Sequence, residues 1–139
     1  MTIKHFACNN QEDNRMGVDV CVSERALREI YLRGFEIATK KSAPVAIMTS
    51  YNLVNGVHAA NSYDLCTTIA RGEWGFDGLI MSDWSTTLPE DGSIPWKCVQ
   101  AGNDLIMPGS PSDEKDIREA YERGELQEEA IRKCADRVL

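Results

Sequence analysis

Gly75-Phe76-Asp77-Gly78-Leu79-Ile80-Met81-Ser82-Asp83-Trp84-Ser85 reads as a turn, a short buried strand, and a polar and aromatic strand end. Gly75 and Gly78 punctuate the entry. Leu79, Ile80 and Met81 are continuously apolar, which suits a parallel strand covered on both faces rather than an alternating antiparallel one. Asp83 then falls at the carboxyl end of the strand, the end at which α/β folds place their chemistry. Two readings fit the carboxylate at this point: the cap of a following helix, or a member of a site.

Working outward, the same strand-then-helix pattern recurs. Thr2 to Ala7 is a short strand ending in Lys4-His5-Phe6, and Cys8 to Gly17 is a polar loop without apolar period. Ser23 is a good N-cap for a helix to Lys40 or Lys41, with Ala26, Leu27, Ile30, Tyr31, Gly34, Phe35 and Ala38 forming one stripe. Pro44 breaks it, and Val45 to Thr49 is the second strand, followed by Ser50-Tyr51-Asn52 and an Asn55-Gly56 turn. Asn61 or Ser62 caps a helix through Leu65, Cys66, Ile69 and Ala70 to about Glu73. After the Asp83 strand comes a loop, Ser85 to Pro95, and a short helix, Trp96 to Ala101, closed by Gly102. Asp104 to Met107 reads as a fourth strand, and Ser112 or Asp113 caps the next helix, which Gly124 breaks before a last one. The pattern is α/β: four βα units with parallel strands. A complete (β/α)8 barrel takes about 250 residues, more than the 139 present.

Composition narrows the class. A net charge of −7 argues against a nucleic-acid partner. No stretch is long and apolar enough for a membrane span, and Met1 to His5 leads into polar residues rather than a secretory signal peptide. The five cysteines are scattered without a CxxC pair, which reads as reduced thiols, several buried, in a cytoplasmic protein. Neither His5 nor His58 belongs to a metal-ligand pattern.

Parallel strands bring their carboxyl ends to one rim, so Lys4 and His5, Tyr51, Asp83 and Trp84, and Asn103 or Asp104 are expected on one face. Each also has a structural reading: a solvated lysine, a core histidine, a half-buried tyrosine, a packing tryptophan. Arg15, in Asn9-Asn10-Gln11-Glu12-Asp13-Asn14-Arg15, is read as a loop contact or a salt bridge to Glu24 more readily than as a direct ligand contact.

The segment GFDGLIMSDW, with RGEW before it and MTSYN upstream, closely resembles the nucleophile region of glycoside hydrolase family 3, the β-glucosidase family. Lys4-His5-Phe6, Val22 to Tyr31, Asn52 to Gly56 and Ala101 to Gly109 match in the same order, over nearly the whole chain. The resemblance implies that residues 1–139 are half of a TIM-type (β/α)8 barrel, roughly strands five to eight. It implies a retaining glycosidase in which one carboxylate attacks the sugar and a second carboxyl group protonates the leaving oxygen. By resemblance Asp83 is the nucleophile, kept ionised by a cation such as Lys4. Lys4 and His5 bind sugar hydroxyls, Tyr51 donates to the nucleophile, and Trp84 flanks the pocket entry. Arg15 is carried as a further substrate-binding candidate.

The resemblance implies no cofactor and no metal. It implies a β-glucoside or oligosaccharide substrate, with no nucleic-acid or membrane partner. The general acid/base lies outside this barrel half in the family. Glu24 and Glu73 fall in capping or packing contexts, and Glu12 and Glu90 in rim loops without an assigned role. A chain with these parts alone is expected to be weakly active or inactive. Its open strand edges are expected to pair in a homodimer or with the missing barrel half. The alternative is a carbohydrate-binding or structural half-barrel without turnover.

Overall fold

The computed structural model describes residues 1–139. Its centre is a parallel sheet of β1 (Thr2–Phe6), β3 (Ala46–Thr49) and β6 (Leu79–Met81), in the order β1-β3-β6. Ala46 pairs with Thr2 on one side and Leu79 on the other, and Ile47 with Ile3 and Ile80. Every residue of β3 is buried, as a strand flanked on both edges and covered on both faces requires. The strand containing the Leu79-Ile80-Met81 run therefore forms where its apolar continuity places it. Gly78 is needed at its entry, because a Cβ there would stand 2.4 Å from the Val45 carbonyl oxygen.

The expected fourth strand does not form. Asp104 to Met107 contributes one parallel bridge, Met81 to Leu105. The reason lies in what the donors do. The amide of Ile80 donates to the Asp104 carboxylate at 2.8 Å, and the amide of Met107 donates to the Ser82 hydroxyl at 2.9 Å. Side chains thus take bonds that a ladder would have used, and Pro108 has no N–H with which to continue.

A second, small sheet was not anticipated. β2 (Asp19–Val20) runs parallel to β4 (Leu53–Val54), which turns back antiparallel into β5 (Val57–His58). Asn55 and Gly56 make the turn with φ of 50° and 85°, the two positive values of a tight hairpin turn. The Asn55 carboxamide also accepts from the Val22 amide at 2.8 Å and donates to its carbonyl at 2.9 Å.

The helices follow the sequence with local adjustments. Ser23 caps the first, accepting from the Ala26 amide at 3.3 Å. That helix comprises α1 (Glu24–Ala26), a π-helical stretch Leu27–Tyr31, and α2 (Arg33–Ser42). Ser62 rather than Asn61 caps the next, the π-helix Asp64–Glu73, through the Leu65 amide. α3 (Pro95–Ala101) closes at Gly102. α4 (Pro111–Glu122) is capped by Ser110, not by Ser112 or Asp113. Pro111 explains the difference, since its fixed φ and missing N–H belong at the first helical position and the cap must precede it. α5 (Glu128–Val138) completes the chain.

The main core packs the first two helices onto the sheet. Phe6, Leu27, Leu32, Ile47, Leu65, Ile69, Trp74, Phe76 and Ile80 belong to it, and Phe6 meets Phe35 and Trp74 edge to face at 5.1 and 5.7 Å. On the other flank the Asp104 carboxylate is wholly buried between two guanidiniums. It accepts from Arg71 Nη2 at 2.6 Å and Arg137 Nη1 at 2.9 Å, besides the Ile80 amide. Arg71 reaches on to the Gly78 and Gly102 carbonyls at 3.0 and 3.1 Å.

Removing one charge of such a cluster leaves the others without compensation, so Asp104→Asn is expected to cost about 3–5 kcal/mol in urea unfolding. Glu24→Gln, which loosens an exposed pair to Arg28, should cost no more than about 1 kcal/mol. The thiols give a second expected outcome. Cys8, Cys66, Cys98 and Cys134 are buried and Cys21 is exposed. Burial pushes Cys8 up to about 11 and Cys66 and Cys134 up to about 12. Since the thiolate is the reactive form, iodoacetamide at neutral pH should add one carbamidomethyl group to the native chain, at Cys21, by peptide mass mapping. The remaining thiols should react only after unfolding.

Candidate active site

The rim at the carboxyl ends of the strands is stitched together by main-chain carbonyls. The Ala7 carbonyl, just past β1, accepts from the Ser50 hydroxyl at 2.7 Å and from the Asn52 carboxamide at 3.1 Å. The Ser50 amide meanwhile donates to the Phe6 carbonyl at 2.7 Å. The ends of β1 and β3 are thereby locked in register. Beyond β6, the Ser82 hydroxyl donates to the Asp83 carbonyl at 2.9 Å, and the Ser85 amide donates to the Met107 carbonyl at 2.7 Å. Ser85 takes a φ of 61°, a left-handed turn away from the strand, so no helix starts directly after Asp83. The helix-cap reading of Asp83 is thus set aside.

Asp83 is recessed in this rim, its side chain 12 % exposed. One carboxylate oxygen accepts from the Trp84 amide at 2.7 Å, and the other lies 3.4 Å from Nε2 of His5. Tyr51, buried at the end of β3, donates its hydroxyl to the Trp84 carbonyl at 2.7 Å, with the Asp83 carboxylate beside the same phenol. Burial first, and the Asp83 charge second, raise the phenol's pKa, so Tyr51 stays a neutral donor. The Arg15 guanidinium sits over the Tyr51 ring, 4.8 Å from its centroid, a cation–π contact. Its ion-pair partner is Glu12 at 2.9 Å, not Glu24, which pairs with Arg28. The bond from Arg15, with one from Asn9, holds the Glu12 carboxyl below its usual value. Trp84 stands at the mouth, 54 % exposed.

His5, Arg15, Tyr51, Asp83 and Trp84 therefore meet. Lys4 does not join them as the cation beside Asp83. It is exposed and, together with His5, lines a groove beside Ile30, Tyr31 and Phe35 along the β1 edge. Of the two, His5 is the one whose ring nitrogen lies within reach of the carboxylate.

Two contributors were not read from the sequence. Glu12 orients Arg15, a pairing its three-residue separation could have suggested. His58 bridges the Tyr51 and Asp91 carbonyls, which no local pattern announces. No group of three or more side chains of the kinds that hold metal ions converges anywhere. What the rim offers is a recessed carboxylate surrounded by an imidazole, a phenol, a guanidinium and an exposed aromatic face.

Comparison with known proteins gives this arrangement a context. The model of the glycosyl hydrolase family 3 N-terminal domain matches residues 1–139. A β-glucosidase of Ruminococcus albus is 44% identical over 145 residues, 99% of this chain and 15% of the relative. An exo-alpha-(1->6)-L-arabinopyranosidase of Bifidobacterium longum is 48% identical over 114 residues, 82% of this chain and 14% of the relative. β-Glucosidase 3B of Thermotoga neapolitana, solved in complex with glucose, superposes with a TM-score of 0.88 at 48% identity. That match covers 96% of this chain and 19% of the neighbour. The chain thus spans a fifth or less of the length of these proteins. With the family model running from the first residue to the last, the chain belongs to glycosyl hydrolase family 3, within its N-terminal domain.

Proposed function

We propose that the chain supplies the nucleophile side of a retaining β-glycosidase site acting on β-glucosides. The observation that carries this reading is the Asp83 carboxylate, recessed at a strand end with His5 Nε2 at 3.4 Å and the Tyr51 phenol beside it. One Asp83 oxygen attacks the anomeric carbon as the bond to the leaving oxygen breaks. The leaving oxygen takes a proton from a second carboxyl group, and water then displaces Asp83. His5, Arg15 and, by the family resemblance, Lys4 bind sugar hydroxyls, and Trp84 packs the apolar face of the ring.

Glu12 fits the second carboxyl group poorly: its bonds to Arg15 and Asn9 favour the ionised form, whereas an acid must hold its proton until the leaving group needs it. The acid is supplied from outside these residues, in keeping with relatives several times longer. By the same reading the three strands and the Leu105 bridge are an arc of a (β/α)8 barrel. The open edge of β1 and the edge at Leu105 are completed by the rest of a longer polypeptide or, in the isolated chain, by a second copy.

A dinitrophenyl 2-deoxy-2-fluoro-β-glucoside separates the nucleophile from the missing acid, because its leaving group departs without a proton. The wild-type chain should gain one fluoroglycosyl mass, mapped to Asp83, and Asp83→Asn should gain none. An unmodified mass after long incubation, or a label elsewhere, overturns the assignment and leaves a binding or structural role. Ordinary aryl β-glucosides, which need the acid, should be hydrolysed about 10²–10⁴-fold more slowly than by an enzyme possessing one.

For the edges, sedimentation equilibrium at micromolar concentration should show a dimer or higher oligomer of the 139-residue chain. A cooperatively melting 15.5 kDa monomer would show that the chain covers its own edges.

A further inference from the structure

The proposed chemistry makes no use of His58. Its side chain is buried and lies across two main-chain carbonyls, with Nδ1 2.9 Å from the Tyr51 oxygen and Nε2 2.8 Å from the Asp91 oxygen. A carbonyl oxygen can only accept, and a neutral imidazole carries a single N–H. Both contacts are hydrogen bonds only when both ring nitrogens carry protons. In the neutral ring, one carbonyl faces a bare nitrogen lone pair, and a buried acceptor is left without its donor.

The two carbonyls belong to the two walls of the rim. Tyr51 follows β3 and stands beside Asp83. Asp91 lies in the 84–94 loop, which leaves Asp83 and carries Trp84. The base of that loop is fixed without His58. The Ser85 amide donates to the Met107 carbonyl, the Thr86 and Ser93 hydroxyls pair at 2.9 Å, and the Asn61 carboxamide accepts from the Ile94 amide and donates to its carbonyl. Over residues 87–92, however, His58 supplies the one bond from a side chain outside the loop.

We propose that His58 is a positioning residue: as an imidazolium it straps the 84–94 loop to the Tyr51 end of β3, and so sets the separation of the two walls beside Asp83. The strap rests on reading the Asp83 rim as the sugar site. The ionisable groups on the surrounding elements are Tyr51 and Asp83 at the strand ends, Glu90 and Asp91 on the loop, Asp64 on the following helix and Lys97 on α3. None of them forms an ion pair with the ring, whose bonds go to the two carbonyls. The strap has two bonds with the ring protonated and one with it neutral, so it loosens as pH rises.

Hydrogen exchange of the full chain and of His58→Gln, read in the peptide covering residues 86–94 between about pH 5 and pH 8, tests this. Glutamine can donate one bond but carries no titrating proton, and the ratio of the two proteins at each pH cancels the intrinsic pH dependence of exchange. Wild type should be roughly threefold to tenfold better protected at the acid end, the effect of one hydrogen bond, with the ratio falling towards unity at the alkaline end. The two 15N resonances of the His58 ring should both be of the protonated type at the acid end. A ratio that is flat with pH, or one bare nitrogen throughout, overturns the strap. His58→Phe, which keeps volume but donates nothing, should lose protection at every pH. Should it fail to fold, the glutamine comparison and the nitrogen spectrum still decide. Because the readout is loop protection rather than glycoside chemistry, failure here leaves the assignment of Asp83 standing.

Discussion

The buried Asp104 carboxylate ties together the parts that bring Asp83 to the rim. It accepts from the amide of Ile80, from Arg71 on the preceding helix and from Arg137 on the last one. A strand of three residues, β6, has little pairing of its own with which to resist a slip. Asp104 fixes it from the side, and Arg71 fixes the carbonyl of Gly78 at its entry. Burial lowers the Arg71 pKa, and the Asp104 charge in direct contact offsets part of that loss. An isolated buried ion is expensive and a well-bonded one is tolerable, so the cluster specifies one register of β6 against its neighbours. The position of Asp83, three residues after Ile80, is inherited from that register.

The rim is then assembled largely from main chain. Carbonyls of Ala7, Trp84 and Met107 each accept a bond from a residue elsewhere in the rim, and that of Asp83 accepts from its neighbour Ser82. Side chains are thereby left to differ in exposure. Asp83 is recessed, Tyr51 buried and neutral, His5 partly exposed and Trp84 open to solvent. A carboxylate in this setting has one oxygen bound by the Trp84 amide and the other turned towards His5. The constraint on the first oxygen aims the second.

Much of this was legible in the sequence, and the parts that were not share a cause. The Leu79-Ile80-Met81 run, the Ser23 cap and the stop at Gly102 depend on residues within a few positions of one another, and they are found as read. Asp83, His5, Tyr51 and Trp84 meet because parallel strands share a rim, which follows from the pattern of elements, and Arg15 joins them from the loop after β1. The fourth strand failed because a distant carboxylate and a hydroxyl captured the amides it required. His5 rather than Lys4 is the group beside the carboxylate, and of the two readings of Arg15 the loop contact is found, with Glu12 in place of Glu24. The β2-β4-β5 sheet has strands of two residues each, too short to show any period. The His58 bridge joins residues 33 positions apart, and only the folded backbone brings them together.

The hairpin turn at Asn55 and Gly56 bears on how the molecule ages. An asparagine followed by glycine is the dipeptide most open to spontaneous deamidation, in which the glycine nitrogen attacks the side-chain carbon, closes a succinimide and releases ammonia. Here both reactants are engaged in other bonds. The Gly56 nitrogen is bound to the Asp19 carboxylate at 2.9 Å, and the Asn55 carboxamide is paired at both ends with Val22. The bonds that close the small sheet therefore also guard its most labile peptide linkage, and the linkage becomes vulnerable only when that sheet opens.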